Sequence, residues 1–247
     1  MGHDRLPPEL PGLEAVTLVT GVNGCIGSAL AQSRTGAGQA VLGVDLGPAR
    51  WTSNRYRHFQ CDLGQADGLE ALLAYIESTS LFVRAFVNCA GIYERREPHA
   101  LAYSDIMRTL AINVAAYVHL GTRLAGRSIV PGGHIVGIAS DAYVLGPRRG
   151  IHYAASKGAV VSATYAMARA FAKRPVMVNC IVPGVIDSPQ AELDTDPTRR
   201  REFESDIPLG RVGRAEDVVL VINAITSGAF DYCTGQKFAV NGGRDLL

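Results

Sequence analysis

Short apolar runs recur along the chain, separated by longer stretches whose apolar residues fall three and four apart. Ala15–Thr20 (A-V-T-L-V-T) is β-branched or apolar throughout, the pattern of a strand buried on both faces. Residues 41–45, 57–61, 84–89, 133–140, 176–182 and 237–240 predict six further strands. Helical spacing predicts helices from the glycine-rich turn 21–27 through residue 37, over 65–78, 103–126, 153–172 and 215–225. In 103–126 the apolar stripe is Ile106, Leu110, Val114, Tyr117 and Leu124. Residues 192–204 are polar and predict a mobile helix within a substrate loop at about 187–213. Strands alternating with helices imply a doubly wound α/β fold, with a seven-stranded parallel sheet covered by helices on both faces. One connection departs from the pattern. Only 15 residues separate Asp45 from Cys61, Gly47, Pro48 and Trp51 among them, so an irregular crossover replaces a full helix.

Composition narrows the picture. The 247 residues, 47% hydrophobic, fit one domain over 1–247, with 1–14 an extended, proline-rich N-terminal segment. A formal net charge of +1 argues against a nucleic-acid surface. The five cysteines are odd in number and lack metal-ligand spacing, so the expectation is no metal and a reducing compartment. No apolar run approaches the roughly 20 residues of a membrane span, and the start is unlike a signal peptide. These features predict a soluble cytoplasmic protein without a membrane partner.

Candidate chemistry concentrates in residues 140–157, S-D-A-Y-V-L-G-P-R-R-G-I-H-Y-A-A-S-K. Tyr153 and Lys157 are four apart and share one helix face. A phenol ordinarily ionises near pH ~10, and a nearby ammonium favours the phenolate. Lys157 is one of three lysines among 24 basic residues, standing where a compact charge is wanted and a guanidinium would not substitute. Ser140 closes the apolar run of the fifth strand, so its hydroxyl sits at the strand's carboxyl end. Phenol, ammonium and hydroxyl make a proton-transfer site; the plainer reading of the pair is a surface contact.

The turn Gly21-Val-Asn-Gly-Cys-Ile-Gly27 lies between the first strand and first helix, where backbone N–H groups and the helix dipole receive a dinucleotide pyrophosphate. Asn23, Cys25 and Ile26 belong to this seat with Gly21 and Gly27. Asp45, followed by Leu46, ends the second strand, where a carboxylate accepts both adenosine ribose hydroxyls and repels a 2′-phosphate. NAD is therefore favoured over NADP, although Arg50 nearby keeps NADP open. Turn formation before Gly47-Pro48 is the alternative role of Asp45.

Assembled in order, these parts resemble the short-chain dehydrogenase/reductase family from about residue 15 to the end. The T-G-x-x-x-G-x-G turn is matched by Thr20 to Gly27, and the acidic residue after strand three by Asp62, followed by Leu63. The N-N-A-G element appears as Asn88-Cys89-Ala90-Gly91, and the mid-helix asparagine as Asn113. Ser140, Tyr153 and Lys157 complete the catalytic tetrad. Pro183-Gly184-Val-Ile186-Asp-Ser188 matches the P-G-x-x-x-T segment over the nicotinamide amide. Cys25 stands where the family has its middle glycine, Cys89 replaces an asparagine, and Ser188 replaces a threonine.

The resemblance implies a Rossmann-like, NAD(P)-dependent oxidoreductase that interconverts a secondary alcohol and a ketone. Tyr153 would exchange the proton, Lys157 would lower its pKa and hold the nicotinamide ribose, and Ser140 would position the substrate oxygen. Asn113 would hold a water linking Lys157 to solvent; alternatively it is a satisfied amide between packed helices. Arg148 and Arg149, between Ser140 and Tyr153, are near enough to reach a substrate carboxylate, although arginines pointing to solvent are the plainer reading. With the short connection after Asp45, they resemble the dehydrogenases that aromatise 2,3-dihydro-2,3-dihydroxybenzoate. A 3-oxoacyl-type ketoreductase and a nucleotide-binding regulator of the same fold are the other readings. Family members pair their two long helices, so a homo-oligomer, dimer or tetramer, is expected.

Overall fold

The computed structural model describes residues 15–79, 81–189 and 197–245. Seven parallel strands form one sheet: β1 (Ala15–Thr20), β2 (Ala40–Asp45), β3 (Tyr56–Gln60), β4 (Phe82–Asn88), β5 (Ile129–Ile138), β6 (Met177–Pro183) and β7 (Lys237–Val240). Their spatial order is β3-β2-β1-β4-β5-β6-β7, the doubly wound arrangement predicted. The order reverses between β1 and β4, where Thr20 lies beside Asn88 at the strands' carboxyl ends.

Two apolar clusters, one per sheet face, hold the layers together. Successive residues of a strand point to opposite faces, so Leu18 joins one cluster and Val19 the other. The first cluster takes Leu72 and Ile76 from α2 (Ala66–Ser78), Tyr117, Leu120 and Leu124 from α4 (Ala116–Arg127), and Val160 and Met167 from α6 (Ile151–Phe171). The second takes Leu30 and Ala31 from α1 (Cys25–Gly36) and Val218 and Ile222 from α8 (Ala215–Ile225). Burial on both faces explains why the strands read as continuous apolar runs rather than alternating ones.

Three differences from the sequence reading have local causes. β5 begins at Ile129, not 133, because its pairing with β4 jumps from Val83–Ile129 to Ala85–His134. The excursion contains Pro131, Gly132 at φ 81 and Gly133, which disguise the start of the strand. The predicted helix 103–126 is interrupted: α3 (Tyr103–Leu110) passes through a π-turn at Ala111–Ala115 before α4. The helix expected over 192–204 lies partly outside the described residues, which show α7 at Pro197–Asp206. The expected N-terminal segment 1–14 lies wholly outside them.

The connection from β2 to β3 carries no helix, as its length requires. Side chains brace it instead. Trp51 stacks on Tyr56 at 4.1 Å, the Tyr56 hydroxyl meets His58 Nδ1 at 2.7 Å, and His58 Nε2 lies 2.9 Å from the Gly47 carbonyl. Among the described residues no helix is long and apolar enough to cross a membrane, and no group of three or more His, Cys, Asp or Glu could hold a metal ion.

α8 starts on a carboxylate brace. Asp217 Oδ2 accepts the Arg214 backbone N–H at 2.7 Å, and both its oxygens accept from the Arg211 guanidinium at 2.7 and 3.0 Å. Hydrogen bonding to Arg211, then to Arg214, holds the Asp217 carboxyl down at about 2. A depressed carboxyl contributes stability above its unfolded pKa of ~3.9 and loses it as pH falls through the folded value. We predict that Asp217→Ala lowers unfolding stability at pH 7 by about 1 kcal/mol. Urea melts should show the gap to the parent protein narrowing toward pH 2; a gap that persists there would refute the ionic brace.

Candidate active site

A single cleft of about 750 Å³ opens over the carboxyl ends of the strands, at the switch point between β1 and β4. Gly21, Asn23, Cys25, Ile26, Gly27, Asp45, Leu46, Asp62, Leu63, Ala90 and Gly91 line one end. Ser140, Tyr153, Lys157, Pro183, Gly184, Ile186 and Ser188 line the rest. Residues 150 positions apart in sequence thus converge because every βα connection on this side of the sheet faces one crevice.

The turn at the head of α1 has the form of a phosphate seat. Gly21 has φ +63, and a Cβ there would lie 2.7 Å from the Ala90 backbone. A Cβ on Gly27 would lie 2.3 Å from the Gly21 carbonyl oxygen, so helix and turn approach as only glycine allows. The first N–H groups of α1 have no intrahelical acceptor and face this end of the cleft. Cys25, in place of the glycine, packs its side chain against the second core cluster, and its thiol is held high by burial while bonding Ser188. Asp45 is fixed by two backbone donors, Asn23 N–H to Oδ2 at 2.9 Å and Gly47 N–H to Oδ1 at 3.2 Å. Arg50 Nη1 reaches the Asn23 carbonyl at 3.4 Å. The glycine cradle, the helix terminus and a terminal strand carboxylate fit a dinucleotide.

Tyr153 and Lys157 both project from α6 into the cleft, with Lys157 Nζ 5.5 Å from the Tyr153 ring centre. Lys157 Nζ donates to the Ile138 carbonyl at 2.7 Å, at the end of β5. Burial lowers its pKa to about 8, with the nearby Cys89 pulling the other way. The Tyr153 phenol moves opposite to the sequence expectation. Burial raises it to about 12; hydrogen bonding with Ser140 lowers it, while Asp141 and Tyr93 raise it further. Loss of solvent is the largest cause for both groups, and it disfavours the phenolate and the ammonium alike. Ser140 Oγ accepts the Ala142 N–H at 3.2 Å, which pins it beside the phenol.

Asn113 and Asn88 sit behind the cleft wall rather than in it. Asn113, buried in the π-turn, accepts the Ile92 N–H at 2.8 Å and donates to the Ile92 carbonyl at 3.1 Å and Ser156 Oγ at 3.0 Å. Ser156 Oγ in turn donates to the Tyr153 carbonyl at 2.7 Å. Its amide nitrogen thus makes both of its donations within the protein, and its oxygen accepts one bond. Asn88, placed by resemblance among the cofactor residues, accepts the Thr20 hydroxyl at 2.8 Å and ties β4 to β1.

Arg148 and Arg149 are both exposed and outside the cleft lining, and Arg149 Nε pairs with Glu97 at 2.8 Å. The arginines at the substrate end are Arg95, Arg108 and Arg244. Arg244 Nη1 donates to Asp141 Oδ2 at 3.0 Å, and its guanidinium lies over Phe203 of α7 at 5.3 Å. Tyr93 stacks on Tyr153 with ring centres 4.4 Å apart. None of these carried a signal strong enough to be singled out from sequence. Arg244 follows the Asn-Gly-Gly turn after β7, and only the sheet order brings that turn beside the loop after β5.

Comparison with known proteins agrees with this geometry. A family model described as enoyl-(acyl carrier protein) reductase matches residues 21–245. An uncharacterised short-chain type dehydrogenase/reductase from Sinorhizobium fredii is 31% identical over 92% of this chain, which spans only 43% of that longer protein. The 2-dehydro-3-deoxy-D-gluconate 5-dehydrogenase of Escherichia coli is 29% identical over 92% of this chain and 94% of its own. Among solved structures, a short-chain dehydrogenase/reductase (glucose/ribitol dehydrogenase) from Brucella melitensis superposes with a TM-score of 0.87. It is 29% identical over 96% of this chain and 99% of that one. Sheet order, glycine cradle, the Tyr-Lys pair lining the cleft and these similarities together identify the chain as a member of the short-chain dehydrogenase/reductase family of oxidoreductases.

Proposed function

We propose that the protein is an NAD-dependent dehydrogenase that interconverts an anionic secondary alcohol and its ketone. The observation that carries the reaction is the Tyr153–Lys157–Ser140 cluster in the cleft wall beside a glycine cradle shaped for a dinucleotide. A bound nicotinamide dinucleotide supplies or accepts the hydride. The cradle at Gly21–Gly27 would receive the pyrophosphate, with Asp45 at the ribose, Asp62 and Leu63 at the adenine, and Ile186 and Ser188 at the nicotinamide.

Ser140 orients the substrate oxygen toward the phenol. Tyr153 gives its proton to the developing alkoxide in reduction and takes one in oxidation. A phenol held near 12 keeps its proton at neutral pH, so the resting site is poised as an acid. Lys157 supplies a positive charge beside the proton that moves, and the Ile138 carbonyl fixes it there. Asn113, through Ser156, holds the α6 backbone that carries Tyr153. The plain consequence is a pH asymmetry: reduction uses the abundant neutral phenol, whereas oxidation needs the scarce phenolate.

The anionic substrate is supported by the charge at that end of the cleft. Arg95, Arg108 and Arg244 line it; Arg108 is paired with Glu94 at 2.8 Å and Arg244 with Asp141 at 3.0 Å, so the guanidiniums bring a modest positive balance to this end. Asp141 engages one of the five guanidinium N–H donors of Arg244, and a fork of that shape suits a carboxylate. The gluconate-type relative acts, by its name, on a sugar acid. A homo-oligomer formed through the outer faces of α3 and α6 also fits this reading, since Tyr103 (75%), Met107 (45%) and Ile151 (53%) are exposed there.

Three outcomes test the proposal. Tyr153→Phe should lose at least about 100-fold in turnover while NADH affinity, read by fluorescence titration, stays within about threefold. For the parent, oxidative kcat/KM should climb with pH between about 7 and 10 while reduction stays flat or falls; near-normal turnover of Tyr153→Phe would defeat the assignment. NAD should bind at least about tenfold tighter than NADP, and Asp45→Ser should narrow that gap; equal affinities in the parent would remove the role given to Asp45. In a panel of secondary alcohols, carboxylated members should be turned over in preference to neutral ones. Arg244→Gln should raise their KM about tenfold or more, and a parent that prefers neutral alcohols would overturn the substrate class.

A further inference from the structure

The aromatic packing around the catalytic phenol assigns a residue that no motif contains. Tyr93 lies in the loop after β4, two residues beyond Gly91, and lines the cleft. Its ring stacks on that of Tyr153 with centres 4.4 Å apart and planes inclined at 33°. The Arg95 guanidinium carbon lies 4.9 Å from the Tyr93 ring centre, and Lys157 Nζ lies 5.5 Å from that of Tyr153. Each group thus contacts the next in turn: guanidinium, phenol, Tyr153 phenol, ammonium.

The chain is shaped to admit the outer ring. Gly150 precedes α6, and a Cβ there would lie 2.6 Å from Tyr93 Cε2 and 3.1 Å from Tyr93 Oη. Any larger residue at 150 would press the ring out of its place on Tyr153. On the opposite side, Asn113 fixes the loop that bears Tyr93 by bonding both the N–H and the carbonyl of Ile92. One amide therefore steadies both partners of the stack, the loop directly and α6 through Ser156.

We propose that Tyr93 is a positioning residue: its ring caps the face of Tyr153, keeps water off the phenol and holds the hydroxyl toward Ser140. The inference rests on Tyr153 being the acid/base of the proposed reaction, but the contact itself does not. Groups facing Tyr153 from the elements around it are Ser140 and Asp141 from the loop after β5, Lys157 from α6, and Tyr93 with Arg95 beyond it from the loop after β4. Removing the cap admits water to the phenolate, so the Tyr153 pKa should fall. Phenylalanine at 93 keeps the cap and should keep the value high; aliphatic or small residues should not.

The test uses the full-length protein labelled with 13Cζ-tyrosine, the Tyr153 signal being assigned by its loss in Tyr153→Phe. Carbon spectra are followed from about pH 7 to 11 in the parent, Tyr93→Phe, Tyr93→Leu and Tyr93→Ala. In the parent and Tyr93→Phe the Tyr153 signal should remain that of the neutral phenol to about pH 10.5. In Tyr93→Leu and Tyr93→Ala it should titrate at least about one unit lower. Turnover should fall about 3- to 10-fold in Tyr93→Ala and recover in Tyr93→Phe, with little change in NADH affinity. Gly150→Ala should lower the Tyr153 titration in the parent yet add little in the Tyr93→Ala background. A Tyr153 signal that titrates alike in all four proteins would overturn the proposal, as would Tyr93→Phe behaving like Tyr93→Ala. Because the spectra need no substrate, they read the cap even if Tyr153→Phe retains turnover and the acid/base assignment falls.

Discussion

Desolvation of one phenol and one ammonium, four residues apart on α6, is the constraint around which this structure is arranged. Left in water, both Tyr153 and Lys157 would take on charge more readily than they do in the cleft wall. Burying both has a free-energy cost, because neither charge is favoured in dry surroundings. The surrounding architecture answers that cost locally: the Ile138 carbonyl receives the ammonium, Ser140 meets the phenol, and Tyr93 covers its ring. Each of these partners stands at the carboxyl edge of the sheet, so the strand order determines the chemistry.

The same edge supplies the dinucleotide seat by a different physical route. There the requirement is closeness of backbone, met by Gly21 and Gly27, whose missing Cβ atoms would collide with Ala90 and with the Gly21 carbonyl. Cys25, at the start of α1, is half-buried there: it packs against the second cluster and also lines the cleft, where it bonds Ser188. Asp45 serves as a turn former and as a cleft carboxylate at once, holding Asn23 and Gly47 while facing the crevice. The turn-forming bonds therefore leave this carboxylate in the cleft wall, where the proposed ribose contact would be made.

What could be read from sequence was what depends on local order. The seven strands, their parallel sense and the missing helix after Asp45 follow from apolar runs and the distance between them. The grouping of Tyr153, Lys157 and Ser140 at the cleft was legible because helix geometry relates the first two and a strand end places the third. Contacts made by tertiary approach were not legible. Arg148 and Arg149 are near Tyr153 in sequence but turn outward, one to Glu97. Arg244, almost a hundred residues from Tyr153, reaches the cleft because β7 ends beside β6. The direction of the Tyr153 shift was also beyond sequence, since spacing reports the neighbouring charge but not the loss of water.

The most direct measurement of the central claim is a crystal structure of the protein with NADH. The account predicts the pyrophosphate against the Gly21–Gly27 turn, the adenosine ribose on Asp45, and the reactive face of the nicotinamide turned toward the Tyr153 hydroxyl and Ser140. A dinucleotide seated elsewhere, or a ring whose reactive carbon faces away from that hydroxyl, would contradict it.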